Sequence, residues 1–219
     1  MTHAMASVLG PGALALAELY AARLDGELFS IDERFSPVDE ADTIWLRATA
    51  LRSIAGIRMI AELDSALWVH GLFAFPPRVH TMCVARSDRV KFPPSPRFSL
   101  REVTHAAGDT AEIAGLGVTV PARILHDLAF REQRGTAEAA RRILARWPQL
   151  AESCSRRIAD AANLPGKGLA LQRIATWSSS VGDVDPRPSP ALEPALASQP
   201  APTRQPALTR QPALTRYTS

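Results

Sequence analysis

The clearest pattern of apolar and polar positions lies in TVPARILHDLAF, residues 119–130, where Ile124, Leu125, Leu128 and Ala129 fall on one stripe of a helix. Pro121 suits a first helical turn because it has no amide hydrogen to leave unpaired, and it keeps the residue before it extended. Arg123 and Asp127 stand at i,i+4 and can pair, worth about 0.3 kcal/mol if exposed and more only if buried. A stripe of this kind requires a core to lie against.

The same reading extends along the chain. Residues 12–29 predict a first helix carrying Leu14, Leu16, Leu19, Leu24 and Leu28, although these do not hold a single stripe. Pro37 and the acidic Asp39, Glu40 and Asp42 separate it from a second helix capped by Asp42 or Thr43. That helix turns Ile44, Trp45, Ala48, Leu51 and Ile54 inward, carries Arg47 and Arg52 on its other side, and stops at Gly56. Residues 57–61 fit either a strand or the end of this helix. DSALWVHGL, residues 64–72, predicts a helix capped by Asp64 or Ser65, packed through Ala66, Leu67 and Val69, and ended by Gly71.

Strict alternation then predicts a strand over 79–85, with Val79, Thr81, Cys83 and Ala85 opposite His80, Met82 and Val84. Residues 97–103 alternate as a second strand of ambiguous phase. Gly108 and Asp109 turn the chain, 111–113 add a short strand, and Gly115 with Gly117 marks a tight connection before 118–120. A helix starting at Gly135 and Thr136 buries Ala139, Ala140, Ile143, Leu144 and Trp147, projects Arg141, Arg142 and Arg146, and closes at Pro148. Another spans 150–161 with Arg156 and Arg157 outside, and a turn at Pro165 and Gly166 leads to a short final helix. The fold class predicted is α+β, a small antiparallel sheet over 79–120 flanked by helices.

Composition sharpens this picture at both ends. Apolar residues make up 46% of the 219, but the excess is alanine and aromatics are only 6%, so the core should be helix-rich and modest. From 177 to 219 proline and alanine crowd the chain and TRQPAL occurs at 203–208 and again at 209–214, which predicts a disordered Pro/Ala-rich C-terminal tail. Residues 1–44 hold eight acids and two bases, whereas 45–177 hold eleven acids and nineteen bases. A short acidic N-terminal segment, 1–42, thus precedes a basic body, 43–176, whose field suits nucleic acid or an acidic protein.

Candidate chemistry is sparse. Cys83 and Cys154 are the only cysteines and read as reduced thiols of a cytoplasmic protein, with a disulfide as the alternative. The run VLGPGALALAEL lacks the basic start of an export signal, and no stretch approaches the roughly 20 apolar residues that span a bilayer. His70 either satisfies a terminal carbonyl of its helix or serves as a ligand or catalyst. Arg86, Arg89 and Lys91 form a basic loop that is either solvated or in contact with phosphates, and Arg141, Arg142 and Arg146 form a second such group. Gly166 and Lys167 lack the remainder of a phosphate-binding loop. Asp109 with Glu112, or His126 beside Asp127, is the alternative centre of a divergent nuclease or hydrolase, but neither pair has a third orienting group. The expectation is a protein that is not an enzyme and has no metal or cofactor.

The succession of Trp68, His70, Gly71 and Leu72, the strand at 79–84, and Thr119, Pro121, Arg123, Asp127, Leu128 and Ala129 resembles the AbiEi-like antitoxins of type IV toxin–antitoxin systems, particularly the short actinobacterial forms. The resemblance covers about residues 40–175, with Ile124 where the pattern usually has threonine. It implies a non-enzymatic antitoxin that opposes a nucleotidyltransferase-like toxin encoded beside it and represses its own operon through operator DNA. It also implies an N-terminal winged helix-turn-helix, which residues 1–42 could hold only in eroded form. A DNA-binding regulator without a toxin is the alternative.

Overall fold

The computed structural model describes residues 7–86, 95–133 and 135–181. Of the tail expected over 177–219, residues 177–179 instead end a helix in which Trp177 is buried, because its ring packs into the core; residues 182–219, and Arg89 and Lys91 of the basic loop, lie outside the described residues.

The first helix, α1 (Leu16–Leu24), is shorter than its leucines suggest. Leu28 opens a hairpin instead, β1 (Leu28–Ile31) and β2 (Arg34–Pro37), turned at Asp32 and Glu33 with Asp32 at φ 55°. Leu9 bridges to Phe35 from the outer side. Leu9, Leu19, Leu28 and Phe35 make a small cluster of their own, closed by Tyr20 edge-on to Phe35 with ring centroids 5.3 Å apart. Over its described residues, 7–42, the acidic segment therefore holds a helix and a β-ribbon. Its turn has no glycine, and Leu28 continues the apolar run of α1, which is why the sequence pattern extends the helix too far.

Helix α2 (Ile44–Arg52) starts where Thr43 accepts the Leu46 N–H, and it ends at Ser53, short of Gly56. Arg47 does not project into solvent as its place opposite the apolar face suggests. It is 2% exposed, and its guanidinium binds both oxygens of Asp42 and donates to the carbonyls of Trp68 and Phe73. Strand β3 (Ile60–Ala61) and helix α3 (Leu63–Val69) follow. Neither Asp64 nor Ser65 caps α3, because Glu62 holds the cap position and Leu63 lies at φ 47°.

The sheet comprises β3, β4 (His80–Ala85), β5 (Phe98–Val103), β6 (Thr110–Ile113) and β7 (Leu116–Thr119) in the order β5-β4-β3-β7-β6. It is mixed, not antiparallel: β4 pairs with β5, and β3 with β7, in parallel, while β3–β4 and β6–β7 are antiparallel. The connection from β4 to β5 is thus a crossover and not a hairpin loop. Alternation within a strand carries no information about the direction of its neighbour, so this lay beyond the sequence pattern. The β6–β7 turn places Ala114 at φ 49° and Gly115 at φ 74°, the two positive values that a two-residue primed turn needs. At Gly117 a side chain would meet Ile60 Cγ1 at 3.0 Å, so the glycine lets β3 and β7 pack.

Helices α4 (Pro121–Ala129), α5 (Thr136–Arg146), α6 (Leu150–Asp160) and α7 (Lys167–Ser179) complete the body. The whole stripe of α4 is buried, and Ala139, Ala140, Ile143 and Leu144 of α5 and Ile174 and Trp177 of α7 join it in one core with Met82, Leu116 and Val118 of the sheet. Replacing fully buried Leu125 with alanine should lower the free energy of unfolding by about 2–4 kcal/mol. The same change at Leu24, 84% exposed, should cost under about 0.5 kcal/mol. Urea denaturation of both proteins checks the contrast, and similar losses at the two positions would contradict this packing.

Candidate functional site: a buried network of arginines and carboxylates

The α4 stripe fixes the outward direction of Arg123 and Asp127, which sit one turn apart with Nε–Oδ1 at 2.9 Å. Arg123 also reaches Asp109, in the turn before β6, at 2.5 Å. Asp109, whose side chain is 2% exposed, takes two further bonds from Arg157 of α6, at 2.6 and 3.1 Å, and the Ala106 N–H at 3.0 Å. On the far side of Asp127, Arg101 of β5 approaches at 3.4 Å and binds Glu62, 1% exposed, through both carboxylate oxygens at 2.5 and 2.6 Å. Three arginines and three carboxylates therefore form one connected, electrically balanced chain. The end of β3, β5, the β6 turn, α4 and α6 each supply a member.

Ionisation follows from these contacts. Burial would raise the Asp109 carboxyl, but Arg157, the Ala106 N–H and Arg123 outweigh it and hold the group well below its usual range. Asp127 is likewise lowered against its burial, by His126, Arg123 and Arg101. Glu62 and Asp109 in turn raise Arg101 and Arg157. Cys83, which touches His105 Nε2 at 3.3 Å, is pushed up to about 12 by burial and the neighbouring Glu62, so it is a thiol and not a nucleophilic thiolate. Burial also pushes Cys154 up to about 11, and both cysteines are free.

The other residues singled out in the sequence lie around this network without joining one site. Trp68 is 2% exposed, and Leu72 packs against the core. His70 ends α3, where its Nε2 donates to the Thr119 carbonyl at 2.9 Å, and burial lowers its pKa despite that bond. Gly71 takes φ 74° there. Thr119 donates its hydroxyl to the Ala61 carbonyl, so β3, α3 and β7 are joined by this pair. Pro121 opens α4, and Leu128 is buried. His126 and Asp127, although adjacent, do touch at 3.3 Å, and Glu112 is exposed on β6. Arg86 is exposed. The α5 arginines are not a uniformly projecting face: Arg142 donates to Glu138 and to the Leu72 carbonyl and lies over Phe73, Arg141 buries its Nε, and Arg146 is exposed.

Sequence reasoning missed Glu62, Arg101 and Arg157 as partners of the α4 pair, because nothing local signals contacts that far apart along the chain. It also missed a second chain, Ser65–His80–Asp32. His80 Nδ1 lies 3.0 Å from Ser65 Oγ, and its Nε2 lies 3.0 Å from Asp32. Ser65 Oγ also accepts the Thr81 N–H, and His80 Nε2–H donates to the Asp32 carboxylate. Arg97 also binds Asp32, whose carboxyl stays low despite burial because of His80 and Arg97. Ser65 and His80 are completely buried, so this arrangement ties the β1–β2 turn to the body and offers no hydroxyl to a substrate. Among the described residues no group of three metal-ligating side chains comes together, and no helix is long and apolar enough to cross a membrane.

Because the Asp109 carboxyl titrates below its ordinary 3.8 in the folded protein, the unfolded chain takes up the proton first as acid is added. Its contribution to stability is whole above about pH 5 and falls away below about pH 4. The Asp109→Asn protein should be less stable at pH 7 by about 3 kcal/mol, a value kept low because Arg157 can turn to water. It should also lose less stability than the parent between about pH 5 and pH 3. Urea midpoints across that range check this, and parallel pH profiles would contradict it.

The family described as the AbiEi antitoxin C-terminal domain matches residues 59–174, a span that contains all three carboxylates and all three arginines. No curated protein matches the sequence. The crystal structure of the RV2827C protein from Mycobacterium tuberculosis is 17% identical, covering 80% of this chain and 67% of its own, with a TM-score of 0.41. Since the family match extends over more than half of the 219 residues, the chain belongs to the AbiEi antitoxin C-terminal domain family.

Proposed function

We propose that this protein is an antitoxin that opposes a nucleotidyltransferase-like toxin encoded in the same operon, and that the 43–176 body carries this role. The family match over 59–174 is the observation that supports the reading. The chemistry of the network agrees with a binding role: its carboxylates are saturated by arginines, its cysteine neighbour is a thiol, and no group in it is poised to take a proton from a substrate. Arg101 and Arg157, 40% and 43% exposed, keep one edge in water while their other edges are held by Glu62 and Asp109. Fixed guanidinium edges of this kind suit an acidic protein patch, where they speed encounter and set register more than they add affinity.

Repression of the operon by contact with operator DNA is the lesser part of the proposal. The α1–hairpin unit has a helix followed by a β-ribbon, but with eight acids against two bases over residues 1–44 it would repel a phosphate backbone. Basic side chains on the body supply charge without a helix placed to read bases.

Co-expression with the nucleotidyltransferase-like protein of the adjacent gene should relieve growth arrest. If the body's cations guide the encounter, association of the purified pair should slow as salt rises. Continued arrest together with no measurable complex at low salt would remove the antitoxin reading.

A further inference from the structure

Asp32 and Glu33, at the tip of the β1–β2 hairpin, are the acids by which the N-terminal unit grips the body. Asp32 takes the His80 Nε2–H at 3.0 Å and binds Arg97, and Glu33 pairs with the same guanidinium. On the body's side, His80 is completely buried, its Nδ1 meets Ser65 Oγ, and its ring lies against Trp68 and Phe98. The imidazole and the guanidinium therefore form a built carboxylate-binding site in largely apolar surroundings. We propose that the hairpin tip is an internal plug in this site, and that the N-terminal unit swings off as one piece to free it for a carboxylate of an acidic protein partner. Only the identity of that partner rests on the acidic-patch reading above; the plug and its release do not.

The unit is made to move as a piece. Leu9, Leu19, Leu28 and Phe35 give it an apolar cluster of its own, and Leu9 and Phe35 exchange both backbone hydrogen bonds inside it. Of its described residues only Ile31 is buried in the principal core, with Val8 and Phe29 half-buried against that core. Its other attachments to the body are polar, and they include Arg34, which donates to the Ser53 hydroxyl at 2.8 Å and to the Ser53 carbonyl at 3.2 Å. Exposed residues 38–41 carry the chain from β2 to Asp42, which Arg47 holds, so the chain can bend there without disturbing α2. Little apolar contact and several solvent-reachable bonds mark an element that opens well short of global unfolding.

Charge gives the opening a consequence. Residues 1–44 carry eight acids and two bases, whereas 45–177 carry eleven acids and nineteen bases, so the departing unit leaves a body more attractive to an acidic surface. A plug on a short tether stands at an effective concentration on the order of millimolar. It therefore excludes isolated carboxylates and yields to a partner that engages more of the body.

Solvent exchange measured by NMR on the full-length protein tests the release. The His80 ring N–H should be less protected than the β4 backbone amides by about a hundredfold or more, and less protected than the Phe35 amide inside the unit's own cluster. Asp32→Asn removes the charge and keeps the turn, because asparagine tolerates the φ 55° of this position. It should speed ring exchange about tenfold further and leave the β4 amides unchanged. The same full-length variant should bind a synthetic peptide of residues 27–38 saturably, and at least about tenfold more tightly than the parent does, a gain that misfolding cannot imitate. The peptide carrying Asp32→Asn should not compete. Ring exchange as slow as that of the β4 amides, or no peptide binding by the folded variant, would overturn the proposal. Peptide binding without rescue in the co-expression experiment would remove the toxin reading and leave the plug standing.

Discussion

A carboxylate removed from water loses several kcal/mol of hydration that donors must replace, and Asp109 is the point at which this protein meets that demand most fully. Its replacements come from Arg123, Arg157 and the Ala106 N–H, which belong to α4, α6 and the loop before β6. The turn into the β6–β7 hairpin is therefore held by both helices in the folded protein. The chain continues through Asp127 and Arg101 to Glu62, so the end of β3 and the edge strand β5 are held by the same set of charges. Hydrophobic burial of the α4 stripe brings these elements together, and the charges select one arrangement of them.

The same economy appears at the front of the chain. Arg47 is buried between α2 and the end of α3 because Asp42 and two carbonyls use its donors, and the β1–β2 turn is held by Asp32 against His80 and Arg97. Both attachments are polar, whereas the N-terminal unit contributes mainly Ile31 to the principal core. A helix with only Leu19 buried, α1 relies on its hairpin for support.

What could be read from the residues alone was local. Pro121 and the spacing of Ile124, Leu125, Leu128 and Ala129 place the start of α4 and its buried face, because one stripe against one core leaves little choice. The alternation at 79–85 identifies β4 for the same reason. Strand direction depends on partners distant in sequence, so the parallel pairs were out of reach, as was the hairpin hidden in the leucines of residues 12–29. Arg123 and Asp127 were visible as a pair from their spacing. Their importance is not, since a surface pair and the centre of a six-member network share the same spacing. Arg47 shows the converse failure: a charged residue beside an apolar face is read as solvated, and only the carbonyls of Trp68 and Phe73 explain why it is buried.

The family match and the network coincide in the same span. Whether those charges act as one unit is measured most directly by a double-mutant cycle on Asp109 and Arg123, using Asp109→Asn and Arg123→Met in urea denaturation at neutral pH. A coupling on the order of 1–3 kcal/mol is expected for a buried pair that shares partners. Additive losses, with coupling below about 0.5 kcal/mol, would show that the two residues act separately and that the network does not hold the fold together.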